Sequence, residues 1–170
     1  AQDRFFSIHP RRGTNSILDK KTGASFHGIA SVVMSQSPVQ THTKCGGILH
    51  TAHDNLLVGP DAVETPEREN TATNADSIAR VFAKQKITMP TLTEKDIITY
   101  FTGVRAPTYE EDFIIEPGRK TKNIYHVAGI QSPGLTTAPA VAQDVAAYVA
   151  EIFGAEKNES FDPVRQAPPH

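Results

Sequence analysis

The segment 123–153 contains the residues best suited to binding an anionic group. Residues 124–130 form a short apolar run of β-formers, which predicts a largely buried strand. Pro133 and Gly134 then interrupt the run, and from Ala138 to Phe153 apolar residues recur at helical spacing. A loop that leads into a helix presents N–H groups and a positive dipole end to a carbonyl, carboxylate or phosphate. An ordinary strand-to-helix turn shows the same local pattern, so the residues alone allow both interpretations.

A second candidate cluster combines three histidines with the single cysteine of the chain. His42 and Cys45 are three residues apart, as are His50 and His53, and all four side chains are ligands that zinc accepts. In a strand, however, residues three apart point to opposite faces, and the glycines that follow Cys45 do not form a knuckle with paired cysteines. We therefore predict no metal site, and a small buried or half-buried thiol at Cys45.

Length and composition indicate one domain with a hydrophobic core in a protein of 170 residues. With 17 basic and 19 acidic side chains, the net charge of −2 provides no electrostatic basis for binding nucleic acid or an anionic membrane. No apolar run is long enough to span a membrane. A single cysteine excludes an intramolecular disulfide framework, so we expect a cytoplasmic location.

The elements that must position these residues are mostly strands. We predict strands at 5–8 and 14–19 around a basic turn at Arg11, Arg12 and Gly13, and a longer strand at 25–34. Residues 47–52 and 56–58 predict a hairpin, and residues 100–106 and 112–116 predict a second pair of strands. Helices are predicted at about 73–86 and from Ala138 to Phe153, with Thr136 or Thr137 as N-cap of the second and Gly154 at its end. This pattern indicates an α+β fold, a mixed or largely antiparallel sheet with helices on one face.

Five segments together resemble the second half of an FAD-dependent oxidoreductase of the D-amino-acid oxidase (DAO) superfamily. They are HPRRGTNSILDK, GGILHTAHDNLLVGPDA, YFTGVRAPT, EDFIIEPG and NIYHVAGIQSPGLTTAPAVAQDVA, and they cover most of residues 7–150 in the order that the family shows. The branch that they resemble most is that of the glycerol-3-phosphate dehydrogenases, near the L-2-hydroxyglutarate oxidases. The resemblance implies a substrate-binding (cap) sheet domain at 1–122, a strand, loop and helix at 123–154 that complete the FAD domain, and a linker or arm at 155–170.

Members of this superfamily begin with a strand, a G-x-G-x-x-G turn and a helix that hold the FAD pyrophosphate. This sequence contains no such fingerprint, so we expect a fragment that lacks the N-terminal FAD-binding region. Residues 161–165, FDPVR, resemble the bridge to a C-terminal redox domain. We predict that FAD is held by the full-length protein, and that the isolated chain neither retains FAD nor turns over substrate.

The resemblance also implies roles for individual residues. Arg105, in GVRAP, is expected to bind a small anionic substrate through its carboxylate or phosphate, and pairing with Glu110 or Glu111 is the alternative. Arg12 belongs to an R-G turn that many members place near the flavin, and a solvated basic turn is the alternative. Only one of Tyr125 and His126 can face the site, and we expect His126 to be packed or hydrogen-bonded. The catalytic base is not assigned. The residues expected to contact FAD are Gly129, Ile130, Gln131, Ser132, Gly134, Leu135 and Thr136.

The predicted function is oxidation of a small anionic hydroxy acid or polyol phosphate by hydride transfer to flavin. In some relatives a second basic residue lies in the strand after Arg105, whereas this sequence has Glu111 and Asp112 there. This difference argues against a phosphate clamp made of two arginines. An amine or amino-acid oxidase of the same superfamily is one alternative, and a non-catalytic binding or assembly module is another.

Overall fold

The computed structural model describes residues 5–28, 30–31 and 46–164. The chain divides into two compact units, Ala1–Gln131 and Ser132–His170, which are considered separately below. All of the strands that the structure describes lie in the first unit, and the described part of the second unit contains one long helix. Within the described ranges, no helix has the length and apolar character needed to cross a membrane.

The first unit is built on a six-stranded antiparallel sheet. β1 pairs with β6 along its whole length, while β4 pairs with the second half of β1 and β5 with its first two residues. β2 and β3 continue the sheet beyond β4. The strands of this sheet are β1 Arg11–Leu18, β2 Ala30–Ser31, β3 Gly47–His50, β4 Leu56–Gly59, β5 Val63–Glu64 and β6 Ile97–Arg105.

A separate two-stranded antiparallel sheet consists of β7 Ile114–Pro117 and β8 Tyr125–Ala128. The prediction that residues 112–116 pair with the strand at 100–106 is therefore wrong. The turn between the two strands explains the difference, because the Glu111 N–H donates to the Thr108 carbonyl and Glu111 adopts a left-handed φ of 58°. The chain leaves β6 at this turn, and β7 pairs with β8, with Ile114 opposite Ala128.

Helix α2, Ala75–Gln85, packs on the face of the sheet that carries the hydrophobic core. Its N-cap is Asn74, whose side chain accepts a hydrogen bond from the Ser77 N–H at 2.8 Å. The core is made by apolar side chains of the sheet, of α2 and of the segment that follows it: Leu18, Ile48, Leu56, Val58, Val81, Phe82, Met89 and Leu92. The arrangement confirms the predicted α+β class with antiparallel sheets. Two short helical segments complete the unit, α1 Lys20–Gly23 and a 3₁₀ turn at Glu94–Asp96.

The structure differs from the predictions for one turn and two strands near the start of the chain. Arg11 to Gly13 do not form a turn but begin β1, where Gly13 lies opposite Gly103 of β6. Residues 5–8 contribute only an isolated bridge between Ile8 and Thr108. Of the strand predicted at 25–34, residues 25–28 are not extended into a ladder, Ala30–Ser31 form β2, and residues 32–34 lie outside the described residues.

The second unit contains α3, Gly134–Phe153. The helix begins four residues earlier than predicted, with Pro133 at the N-cap position and no side-chain cap, so neither Thr136 nor Thr137 is its N-cap. The Thr137 hydroxyl instead donates back to the Pro133 and Gly134 carbonyls. The predicted end is confirmed, since Gly154 adopts the left-handed conformation with φ 58° and its N–H closes the last turn.

Candidate functional site

Arg105 is the last residue of β6 and lies half-buried at the edge of the first unit. Its guanidinium donates to two main-chain carbonyls, that of Arg12 at 3.4 Å and that of Asp61 at 3.3 Å. Among the described residues, the predicted alternative, an ion pair with Glu110 or Glu111, is not found. Burial lowers the pKa of the Arg105 guanidinium, the charge of Asp61 opposes this shift, and the charge of Arg11 adds to it. The oxygens that accept its hydrogen bonds within the described part of the chain are neutral.

Gly13 provides the space that the Arg105 guanidinium occupies. A Cβ built on Gly13 would lie 2.7 Å from both Cζ and Nη1 of Arg105, closer than real contacts allow. The guanidinium thus lies against the backbone of β1 at Gly13. No comparable restriction exists at Gly103, opposite Gly13, where an added Cβ would meet nothing within 4 Å.

The side chain of Asp61 anchors the loop whose main-chain carbonyl, that of Asp61 itself, accepts hydrogen bonds from Arg105. One of its carboxylate oxygens accepts a hydrogen bond from the Thr14 N–H at 2.7 Å, which fixes the loop after β4 against β1. The other oxygen is 3.5 Å from the Arg80 guanidinium of α2. Asp61 was not singled out from the sequence. The only signal that could have found it is its position just after the Gly59-Pro60 stop of a predicted strand.

Arg12 and Arg105 do not point to the same face of the sheet. Arg105 lies opposite Arg11 in the β1–β6 ladder, and successive residues of a strand alternate in direction. Arg12 therefore projects from the face opposite to that of Arg105. Its Nε atom is buried and has no hydrogen-bond partner among the described residues. The structure brings the side chain of Arg105 together with the main chain of Arg12, and not with its guanidinium.

Arg11 is the buried centre of a polar network that the sequence did not reveal. Its side chain is only 2% exposed, and it donates to Glu64 through Nε at 2.5 Å and to both carboxylate oxygens of Glu111. These contacts, foremost the hydrogen bond to Glu111, raise the pKa of Arg11 against the opposing effect of burial. Burial by itself raises the pKa of Glu64, but the hydrogen bonds from Arg11 and His9 outweigh it, so this pKa is lowered.

The network extends at both of its ends. His9 contacts Glu64 through Nδ1 at 2.6 Å and the Thr108 carbonyl through Nε2 at 3.1 Å, while its ring stacks on Tyr109. At the other end, the Gln131 amide donates to Glu111 at 3.0 Å. The predicted solvated turn at Arg11 is therefore wrong, since two carboxylates from distant parts of the chain surround this arginine.

The loop that follows β8 contains the residues predicted to contact a cofactor. Gly129 has a φ of +69°, and a Cβ on it would lie 2.7 Å from the Thr108 side chain and 2.8 Å from the Asp112 carbonyl. Packing within the first unit therefore already requires glycine here. Gln131 is 9% exposed and is the last residue of the first unit.

The remaining predicted contact residues are Ile130, in the first unit, and Ser132, Gly134, Leu135 and Thr136, at the start of the second unit. The first turn of α3 carries no acidic residue and no side-chain cap, so its N–H groups and positive dipole end are suited to an anionic or carbonyl group. Leu135, in this turn, is 93% exposed. These features fit the predicted contact with a flavin.

His126 packs between two aromatic rings. Its ring meets those of Phe5 and Phe6 edge-to-face, with centroid distances of 5.1 and 5.5 Å. The Arg119 guanidinium lies 4.0 Å above the Phe5 ring, so the cluster combines aromatic and cation–π contacts. The expectation of a packed His126 is confirmed.

Of the residues weighed as metal ligands, His42 and Cys45 lie outside the described residues. His50 binds the Phe26 carbonyl through Nε2 at 2.7 Å, and His53 lies in the exposed turn of the β3–β4 hairpin. Among the residues described by the structure, no three histidine, cysteine, aspartate or glutamate side chains come together as metal ligands would.

An antiparallel sheet with a half-buried arginine, followed by a glycine loop and a helix, is the arrangement expected for the substrate side of a flavoenzyme. The chain belongs to the FAD-dependent oxidoreductase (DAO) family, whose model matches residues 2–148. It is similar to a glycerol 3-phosphate dehydrogenase of Caloramator mitchellensis, with 37% identity over 95% of this chain and 33% of that protein. It is also similar to a glycerol 3-phosphate oxidase of Mycoplasma genitalium, with 31% identity over 81% of this chain and 35% of that protein.

Solved structures show the same likeness. The dithionite-reduced, FAD-bound L-α-glycerophosphate oxidase of Mycoplasma pneumoniae superposes with a TM-score of 0.71 and 26% identity, over 85% of this chain and 37% of that one. L-proline dehydrogenase from P. horikoshii shares the fold, with a TM-score of 0.64 and 18% identity over 88% of this chain and 37% of that one. The chain thus spans about a third of the length of the relatives that it matches.

Proposed function

We propose that this chain forms the substrate side of an FAD-dependent oxidoreductase that oxidises a small anionic hydroxy acid or polyol phosphate, with glycerol 3-phosphate as the first candidate. The observation that carries the proposal is the state of Arg105. Within the described part of the chain, its half-buried guanidinium donates to neutral carbonyls, in a chain of this family that resembles a glycerol 3-phosphate dehydrogenase and a glycerol 3-phosphate oxidase.

In this proposal Arg105 binds the phosphate or carboxylate of the substrate. A guanidinium held by carbonyls keeps its full positive charge, whereas one already paired with a carboxylate has little left to offer an anion. Its guanidinium lies against Gly13 and is held by two carbonyls, which would help to orient the substrate for reaction. Arg12 is kept as a second candidate for substrate contact, on the basis of the family resemblance of its R-G segment.

The residues proposed to hold FAD are Gly129, Ile130, Gln131, Ser132, Gly134, Leu135 and Thr136. Support comes from the uncapped first turn of α3, whose N–H groups can stabilise negative charge on the flavin. When bound, FAD would accept the hydride from the substrate C–H. The pyrophosphate would be held by sequence outside this chain, so we propose that the isolated 170-residue chain does not retain FAD.

The proposal also includes a cellular location and a neighbouring domain. A cytoplasmic location is supported by the presence of only one cysteine. A further redox domain on the carboxyl side is supported by the segment 161–165, FDPVR, which resembles the bridge to such a domain.

The test is to mix the FAD-loaded complete protein with each substrate in the absence of oxygen. Reduction of the flavin is measured as bleaching of its absorption. We expect glycerol 3-phosphate to bleach it, and 2-hydroxyglutarate, glycine and proline to leave it oxidised. Bleaching by 2-hydroxyglutarate alone would keep the flavoenzyme but change its substrate, and bleaching by an amino acid alone would indicate the amine-oxidising alternative. A complete protein that binds no flavin would refute the proposed function and favour a binding or assembly module.

A further inference from the structure

Arg105 lies on the face of the six-stranded sheet that is turned away from the hydrophobic core. The core residue Val58 lies opposite Ser16, and successive residues of a strand point to opposite faces, so Asn15 is on the other face. Three directly opposed pairs of the β1–β6 ladder share this second face: Arg11 with Arg105, Gly13 with Gly103, and Asn15 with Phe101.

The Arg105 guanidinium keeps hydrogen-bonding capacity at one end of this face. A guanidinium carries five N–H groups. The described residues accept three hydrogen bonds from it, one at the Arg12 carbonyl and two at the Asp61 carbonyl. At least two N–H groups therefore have no acceptor in the described part of the chain. Two N–H groups are what a phosphate or carboxylate binds in a bidentate contact.

Asn15 provides a second polar group on the same face. It follows Gly13 by two positions, about 7 Å along a strand that rises about 3.4 Å per residue. Its half-buried carboxamide lies close to Gly59 of β4, where an added Cβ would be 2.9 Å from Asn15 Oδ1. No hydrogen bond joins this carboxamide to another residue in the part of the chain that the structure describes. Both its donor and its acceptor capacity are therefore open to a small polar molecule.

The sheet surface between these two groups is open. Gly103 is exposed, and an added Cβ there would meet nothing within 4 Å among the described residues. A small molecule can lie on the strands at Gly103 without displacing a side chain. The next residue on this face of β6 is Phe101, which is 46% exposed and limits the open surface to a short molecule.

We propose that Asn15 is a specificity-determining residue of the substrate site, which binds the terminal hydroxyl of a short polyol phosphate while Arg105 binds its phosphate. The inference rests on the proposed function and deepens it, because it favours a polyol phosphate over a hydroxy diacid. A carboxamide is a neutral partner suited to a hydroxyl, whereas a second carboxylate gains more from a cation. With both ends of glycerol 3-phosphate held, its middle carbon lies over Gly103, where its C–H can face a flavin.

The experiment compares two substrates of the complete, FAD-loaded protein. They are glycerol 3-phosphate and propane-1,2-diol 1-phosphate, which lacks the terminal hydroxyl and keeps the secondary one. The kcat/KM of flavin reduction is measured without oxygen in wild type, Asn15→Leu and Thr99→Val. Asn15→Leu removes the carboxamide at nearly constant volume. Thr99→Val is the matched control, since it removes a hydroxyl from an exposed residue of the same face, beyond Phe101.

Wild type is expected to use glycerol 3-phosphate about five- to tenfold better than the diol phosphate, as expected for one hydrogen bond. Asn15→Leu should lose this preference. Its kcat/KM should fall about five- to tenfold for glycerol 3-phosphate and stay within about twofold of wild type for the diol phosphate. Thr99→Val should stay within about twofold of wild type for both. Asn15→Ala should show the pattern of Asn15→Leu, and it decides the matter if Asn15→Leu does not fold.

Three results would overturn the inference while the proposed function stands. A wild type that uses both compounds equally well has no contact with the terminal hydroxyl. Equal losses for both compounds in the Asn15 variants, or failure of both variants to fold, would make Asn15 a structural residue. Unchanged kcat/KM values in these variants would remove Asn15 from the site. A wild-type flavin that neither compound reduces overturns the proposed substrate, and this inference with it.

Discussion

Arg11 and Arg105 lie directly opposite each other in the β1–β6 ladder, yet their guanidinium groups have different kinds of partner and opposite pKa shifts. Arg11 is surrounded by the carboxylates of Glu64 and Glu111, and its pKa is raised, chiefly by the hydrogen bond to Glu111. Arg105 is bound by carbonyl oxygens, and its pKa is lowered, chiefly by burial. One arginine is therefore paired with carboxylates within the fold, whereas the described hydrogen bonds of the other go to carbonyl oxygens, which supports the proposal that Arg105 binds an anionic substrate.

Substitution of Arg105 tests this division of roles. In the complete protein, Arg105→Ala is expected to lower kcat/KM for the anionic substrate roughly 100-fold, because it removes charged hydrogen bonds worth about 1.5–3 kcal/mol. Arg105→Lys keeps the charge without the planar fork and should lose about tenfold. The control is Arg80→Ala, which removes a neighbouring, half-exposed arginine that contacts the Asp61 side chain. Steady-state kinetics that show equal losses at Arg80 and Arg105 would contradict the assignment.

Gly13→Ala probes the same site through the backbone. The added methyl group would collide with the Arg105 guanidinium, which is the flexible end of a side chain and can move away. We therefore expect the free energy of unfolding to change by less than about 1 kcal/mol, while KM for the anionic substrate rises several-fold as Arg105 is displaced. In an Arg105→Ala background the same substitution should have no further effect on KM. Additive losses in this double-mutant cycle would show that Gly13 acts independently of Arg105.

Acidification should weaken the fold through Glu64. Its pKa in the folded protein lies below the ordinary value of 4.5, because the hydrogen bonds from Arg11 and His9 outweigh the opposing effect of burial. The carboxylate contributes stability above the unfolded pKa, and this contribution is lost as the pH falls through the lower folded pKa. Urea unfolding from pH 7 to pH 3 should show a steeper loss of stability below about pH 4.5 in wild type than in Glu64→Gln. Parallel curves would mean that Glu64 titrates alike in both states.

Asn74→Ala should destabilise α2 by about 1 kcal/mol, the usual cost of losing an N-cap side chain. The Asn74 carboxamide accepts the Ser77 N–H, and α2 contributes Val81 and Phe82 to the core, so the loss should appear in global unfolding. Thr71→Ala, at an exposed position just before the helix, is the matched control and should change the unfolding midpoint little. Equal midpoints for the two variants would argue against Asn74 as the cap.

The sequence predicts those elements whose signals are local. The β3–β4 hairpin, α2 and the end of α3 at Gly154 were predicted because turn residues, helical periodicity and a C-terminal glycine lie next to one another in the chain. The strand that pairs with β7 was not predicted. The turn that diverts the chain away from β6 depends on Glu111, whose carboxylate binds Arg11 one hundred positions away.

The candidate site shows the same limit. Arg105 and the residues of the 129–136 loop could be proposed from the sequence because the family resemblance includes their motifs. Asp61 and Glu64 could not, since nothing in their neighbourhood marks an aspartate that fixes a loop or a glutamate that binds an arginine 53 positions before it. The contact between Glu111 and Gln131 is likewise formed only when β8 and the turn after β6 come together.

The position of β1 also has a consequence for the order in which the chain can fold as it is synthesised. Among the described strands of this sheet, β1 is synthesised before the others but pairs along its full length with β6, the last of them. Until Arg105 has left the ribosome, one side of β1 keeps its N–H and C=O groups open to any other extended chain. β6 covers this side of β1 as soon as it has been made. The strand that carries the candidate substrate-binding arginine is thus also the strand that protects β1.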